Sequence, residues 1–304
     1  MSGELFAEVD SIPDRESFRT RTLDRSVLFA TPTHFAVDYE INPYMRPDVD
    51  HERAETQWEA LVDLFDDLAD ATVFDAEAIR TALEADDGSI TPPEELPDMV
   101  FCSNHALSIP GEDRFVLAQM ATEERRGEPV YFERWATAAG YEVSRLDTDA
   151  AFEGCGDARW HPGRDLLWGG YGQRSELDAY RELADRFGID VVPLELTDPA
   201  YYHLDVCFSA IDETTALVCP DAFTERGQAK VDRLFETVIE VPATAAQGGF
   251  ACNCHSIGGD LVVIQETNDA TIGRLEEHGY ETVRVATDEF MKAGGSVACL
   301  AFPY

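Results

Sequence analysis

The chain has 304 residues, 44% of them hydrophobic, with 23 Lys plus Arg against 60 Asp plus Glu, a formal charge of −37. That apolar content over that length fills a sizeable core and argues against a disordered chain. A field so negative repels nucleic acid and anionic membrane surfaces, which excludes both as partners.

Residues 51–69 place Trp58, Leu61, Val62, Phe65 and Leu68 on one stripe and predict an amphipathic helix. Asp86-Asp87-Gly88 and Thr91-Pro92-Pro93 mark a loop. Strand-like runs follow at 98–102 and 114–119. A helix at 128–139 ends at Gly140, before a strand at 141–146, a loop at 153–157 and a strand at 166–171. Ser175 is placed to cap a helix over 176–187 that Gly188 ends. Strands are expected at 190–196, 204–210 and 215–219, and a helix at 221–236. Strands at 237–241 and 261–265, a helix at 269–278, and strands at 282–286 and 296–300 complete the pattern. No linker divides it, so one α/β or α+β domain over 1–304 is expected, with 1–25 as a loosely ordered extension.

No apolar run approaches the ~20 residues that span a bilayer, and nothing at the N-terminus reads as a signal peptide. The seven cysteines are an odd number. A cytoplasmic protein with reduced thiols is expected. Cys252-Asn253-Cys254-His255 holds metal-binding residue types, but they alternate across an expected strand and lack a second spaced pair, so no metal is expected. The acid excess suits a protein adapted to high salt, where screening at 1 M shrinks to about 3 Å and self-repulsion is weak.

The chemistry concentrates in a few clusters. Near the end stands Gly294-Gly295-Ser296-Val297-Ala298-Cys299-Leu300, a glycine turn that can hold a thiol at a site. A strand period of two puts His203 and Asp205 of Tyr202-His203-Leu204-Asp205 on one face. Thiol, imidazole and carboxylate are the parts of a cysteine-nucleophile enzyme. Taken alone, Cys299 reads equally well as a small buried hydrophobe and His203 as a core residue. Further polar clusters stand at 35–45, 101–106, 152–157 and 169–176. The glycines of the last lack the lysine and the order of a phosphate-binding loop.

Together these clusters resemble the guanidino-group-modifying family of arginine deiminases, dimethylargininases, glycine amidinotransferases and arginine dihydrolases. The motifs run in order: Asn42-Pro43-Tyr44-Met45, Asn104, Arg125-Arg126-Gly127-Glu128, Glu153-Gly154-Cys155-Gly156-Asp157, Arg174-Ser175-Glu176, His203-Leu204-Asp205 and the terminal Gly-Gly-Ser-Val-Ala-Cys. The resemblance spans about Phe29 to Leu300. It implies a pentein fold, an α/β propeller of five ββαβ modules around a central site.

It also implies roles. Cys299 attacks the guanidinium carbon, and His203 serves as general acid and base. Glu153 and Asp205 hold the cation by charge-assisted hydrogen bonds, with Glu153 also orienting His203. Arg125 and Arg174 take the amino-acid carboxylate, favouring arginine over agmatine. Asn42, Asn104 and Asp157 complete the substrate pocket, and the Asn42 and Asn104 pattern looks most like arginine dihydrolase, with dimethylargininase next. Cys155 and Ala298 depart from the residues usual at their positions. No cofactor is implied. The expected partner is a small guanidino compound, and a homo-oligomer is compatible with the sequence. Amidinotransfer through the same covalent thiouronium, or arginine binding without catalysis, are the competing readings. Residues 38–45 are expected to act as a lid.

Overall fold

The computed structural model describes residues 2–22, 26–83 and 90–304. The loop expected at Asp86-Asp87-Gly88 lies outside them. Five three-stranded sheets share one topology. In each, a short first strand pairs antiparallel with a middle strand, which pairs parallel with a third. The first strands are Ala106–Ser108, Ala158–Trp160, Phe208–Ala210, His255–Ile257 and Phe302–Pro303. The middle strands are Arg114–Leu117, Leu167–Tyr171, Thr215–Val218, Leu261–Gln265 and Ser26–Ala30. A helix then leads to the third strand: Glu128–Ala139, Leu177–Phe187, Glu225–Leu234, Asp269–Glu277 and His51–Leu68. A parallel pair needs such a crossover. The architecture is therefore the α/β propeller of five ββαβ modules that the motifs implied. The last strand pairs with the first, Val27 against Pro303 and Leu28 against Phe302, and so joins the two ends of the chain in one sheet.

The helices form where the apolar stripe demanded. Ala54, Leu61 and Phe65 are buried on His51–Leu68, and Asp50 accepts from the Arg53 N–H at its start. Gly140 and Gly188 end their helices in the left-handed conformation, at φ of 95° and 71°. Middle strands are buried almost throughout, as in Leu167–Gly170 and Val262–Gln265, so they read as continuous apolar runs.

Several expectations fail at the module entrances. Residues 98–102 form no strand; Pro97–Val100 and Cys102–Asn104 are 3-10 turns. The strand expected at 204–210 begins only at Phe208, after a 3-10 turn at Leu204–Val206. Residues 296–300 are not a strand either: Val297–Leu300 is a helical turn. The loop at 153–157 contains the helical turn Gly154–Asp157. In each case buried backbone N–H groups find a side-chain or local carbonyl partner, which outweighs β propensity. The N-terminal stretch is not loose. Phe6, Ile12 and Phe18 are buried in the core, and Leu5 bridges to Val191.

Among the described residues the buried acids are Asp98, Glu128, Glu153, Asp157, Asp205 and Glu289. Most acids thus lie on the surface. All of these six except Glu289 gather around the module entrances. Glu289 instead bonds Lys292 at the periphery.

Candidate functional site

The entrances to the five first strands face one another, and each contributes polar side chains. Asn104 stands just before the first of these strands, Glu153 and Asp157 before the second, and His203 and Asp205 before the third. Asn253 precedes the fourth and Cys299 the fifth. The modules therefore bring together residues up to 195 positions apart, from Asn104 to Cys299.

Cys299 sits in the helical turn Val297–Leu300, whose free N–H groups need an acceptor. Asn253 supplies it. Its Oδ1 accepts from the N–H of Ala298 at 3.1 Å and of Cys299 at 3.3 Å. Its Nδ2 donates to Cys299 Sγ at 3.1 Å and to the Asp205 carbonyl at 3.2 Å. The thiol in turn donates to Asp205 Oδ2 at 3.3 Å. Burial first, and the facing Asp205 charge second, push the thiol well above its ordinary pKa. Burial likewise raises Asp205 to about 6.

Glu153 is fully buried, and both of its oxygens are engaged. Oε1 accepts from the Ala121 N–H at 3.0 Å, and Oε2 from Arg174 Nη1 at 3.1 Å. Oε2 also meets His203 Nε2 at 2.6 Å. Burial alone would raise this carboxyl. His203, Arg174 and Arg125 overcome that and hold it below the usual range. The His203 Nδ1 edge faces Gly156, where a Cβ would stand 3.2 Å from Nδ1 and 2.3 Å from Asn104 Nδ2. Glycine is required there by close approach.

Asp157 works as a brace. Its Oδ2 accepts from the Ser175 N–H and hydroxyl at 3.1 and 2.6 Å, and its Oδ1 accepts from the Leu204 N–H at 3.0 Å. It thereby fixes the turn after His203 against the Arg174-Ser175 segment. Arg125 is buried and donates to Glu128 at 2.7 Å and to Asn104 Oδ1 at 2.8 Å. Arg174 lies over the Tyr202 ring at 5.1 Å and donates to the Ile41 carbonyl at 2.7 Å. Asn42 sits at the edge, donating to the Ala293 carbonyl at 2.9 Å and packing where a Gly294 Cβ would stand. Gly294 has φ of +99°, so glycine is doubly required.

The buried polar atoms without a partner around the module entrances include Asp205 Oδ1, an acceptor, and Asn104 Nδ2, a donor. Buried groups of this kind are normally satisfied, so a ligand entering this cluster would find both an acceptor and a donor. A carboxylate acceptor next to a thiol suits a planar cation.

All nine expected residues fall in or beside this cluster. His203 and Asp205 do face one centre, but across a 3-10 turn and not along a strand. Asn253 is the residue that sequence reasoning missed. Its signal was its place two residues before a first strand, the same place Asn104 holds, but its neighbours read as a metal motif. Among the described residues Cys252, Cys254 and His255 form no metal-ligand group.

A family model described as N,N dimethylarginine dimethylhydrolase, eukaryotic, matches residues 31–304. The chain is 33% identical over 277 residues to the bifunctional arginine dihydrolase/ornithine cyclodeaminase of Nostoc sp., covering 90% of this chain but 37% of that protein. It thus spans under two fifths of that relative's length. It is 32% identical over 290 residues to the N(G),N(G)-dimethylarginine dimethylaminohydrolase of Mycobacterium tuberculosis, covering 94% of this chain and 87% of the relative. Among solved structures, a variant N-terminal domain of the Synechocystis sp. arginine dihydrolase ArgZ, covalently bound to a reaction intermediate, matches with a TM-score of 0.82 and 31% identity. That match covers 91% of this chain and 97% of the other. Five modules, a buried thiol at their centre and these likenesses lead to one assignment: the chain belongs to the N,N-dimethylarginine dimethylhydrolase family.

Proposed function

We propose that the protein hydrolyses the guanidinium group of arginine or a methylated arginine through a covalent thiouronium on Cys299. The observation that carries this reading is the contact of Cys299 Sγ with Asp205 Oδ2 at 3.3 Å, beside the unpartnered Asp205 Oδ1. A guanidinium paired with Asp205 would present its carbon to the sulfur. The arriving cation offsets the burial and the negative neighbour that keep the thiol protonated, and so favours the thiolate.

Attack gives a tetrahedral adduct, and His203 protonates the departing nitrogen. His203 Nε2 is engaged by Glu153, which leaves Nδ1 for proton transfer. A water molecule, deprotonated by His203, then attacks the thiouronium carbon and releases the product with the thiolate restored. One cycle on arginine yields citrulline and ammonia. A second cycle on citrulline yields ornithine, ammonia and carbon dioxide, the dihydrolase outcome. A dimethylated arginine would release dimethylamine in place of ammonia. Arg174 and Arg125 are assigned to the amino-acid carboxylate. Arg174 must then exchange its present contacts with Glu153 and the Ile41 carbonyl for the ligand. Residues 38–45, tied down through Ile41, Asn42 and Tyr44, would open to admit it. Hydrolysis rather than amidinotransfer is supported by the relatives' activities.

Products from arginine, dimethylarginine and agmatine, identified by mass spectrometry in molar salt, test this reading. Cys299→Ser should abolish turnover while retaining ligand affinity. Wild-type protein that releases no amine or ammonia from any of the three would refute hydrolysis. Equal protease sensitivity of residues 38–45 with and without ligand would refute the lid.

A further inference from the structure

The first strands carry a second cavity toward their opposite ends. Its volume is about 90 Å3, and its wall includes Arg159, Trp160, Ser209, His255 and Ser256 from three modules, with Pro303 from a fourth. It therefore lies on the same axis as the thiol, at the other end. None of its lining residues is Asp or Glu, in a chain with 60 of them, whereas two, Arg21 and Arg159, are among only 23 basic residues.

Arg159 forms no ion pair among the described residues; its Nη1 donates to the Cys155 carbonyl at 3.3 Å. His255 is 8% exposed, and its Nδ1 has no hydrogen-bond partner. Burial, with the Arg159 charge after it, lowers His255 to about 3, so the ring is neutral and able to donate one N–H. Arg21 lies over the Trp160 ring at 4.9 Å. Arg159 is half-buried, and a carboxylate its charge acts on, Asp205, lies in the thiol site. The volume admits a halide or a small oxyanion.

We propose that this cavity is a binding site for a small inorganic anion, held by the Arg159 guanidinium and the His255 Nδ1–H. The site is separate from the guanidinium pocket and takes a ligand of opposite charge. It does not depend on the reaction proposed above.

The test uses bromide as probe on the full chain. At constant ionic strength, potassium gluconate is replaced stepwise by potassium bromide. The thermal midpoint should rise along a saturable curve. Arg159→Leu should weaken that binding about tenfold or more, as loss of a charge-assisted partner requires, while the exposed control Arg226→Gln leaves it unchanged. A response linear in bromide, or an Arg159→Leu curve that saturates as wild type does, overturns the proposal. Crystals of the wild type grown in bromide decide independently of whether the variant folds. An anomalous peak between Arg159 and His255 supports the site, and a cavity without one overturns it.

Discussion

Cys299 Sγ donates to Asp205 Oδ2 at 3.3 Å, so in one buried centre the carboxylate holds the thiol protonated while the thiol stabilises the carboxylate. The arrangement is unfavourable for the empty site and favourable once a cation arrives between them. Asp205→Asn keeps the shape and removes the charge. It should lower kcat/KM for arginine by about 10- to 150-fold, the worth of one hydrogen bond to a charged group. It should also lower the thiol pKa, seen as an earlier midpoint in the pH dependence of iodoacetamide alkylation. An unchanged midpoint would separate the two residues electrostatically.

The pH profile follows from the same carboxylate. Asp205 must be ionised to bind a cation, and burial raises it from 3.8 to about 6. In the free enzyme, kcat/KM should fall about tenfold per unit below that pH. Stability carries the opposite sign. Between 3.8 and about 6 the folded chain binds the extra proton, so stability is lost as pH rises through this window. Above it, Asp205→Asn should be more stable than wild type by about 3 kcal/mol, read from denaturant melts. A flat acid limb to pH 4 would contradict this.

The Asn253 side chain holds the nucleophile's turn by three hydrogen bonds and ties it to the Asp205 carbonyl by a fourth. Asn253→Ala leaves the Cys299 N–H without its acceptor and the Ala298 N–H with only the backbone carbonyl of residue 253 at 3.4 Å. Stability should drop by about 1–3 kcal/mol, and kcat should drop more than KM changes, because the sulfur loses its position. Full activity in this variant would show that the turn holds itself.

Gly156→Ala should cost about 1–3 kcal/mol by overpacking. Its Cβ would meet Asn104 Nδ2 and the His203 ring. Calorimetry measures the loss; a wild-type melting temperature with wild-type kcat would mean the cluster is loosely packed.

Salt dependence tests the surface. With a formal charge of −37 and the buried acids confined to six among the described residues, repulsion is a surface effect. Molar potassium chloride should raise the thermal midpoint by about 2–8 °C over dilute buffer, since about 1–2 kcal/mol moves a domain of this size by about 2–4 °C per kcal/mol. Equal midpoints would refute adaptation to salt.

The sequence by itself marked four of the five middle strands, all but Ser26–Ala30, the five crossover helices, and Cys299, His203, Glu153 and Asp205 as candidate site residues. Long periodic runs and unusual polar clusters are local signals, each contained within a short stretch of the chain. Tertiary structure alone decided the five first strands, most of them three residues long and too short for a period to show. It also turned 296–300 and 204–206 from expected strands into helical turns. Asn253 from another module accepts the N–H groups of the first, and Asp157 accepts the Leu204 N–H of the second. Where a backbone donor is satisfied by a residue 45 or more positions away, no window of sequence can show which conformation it will take.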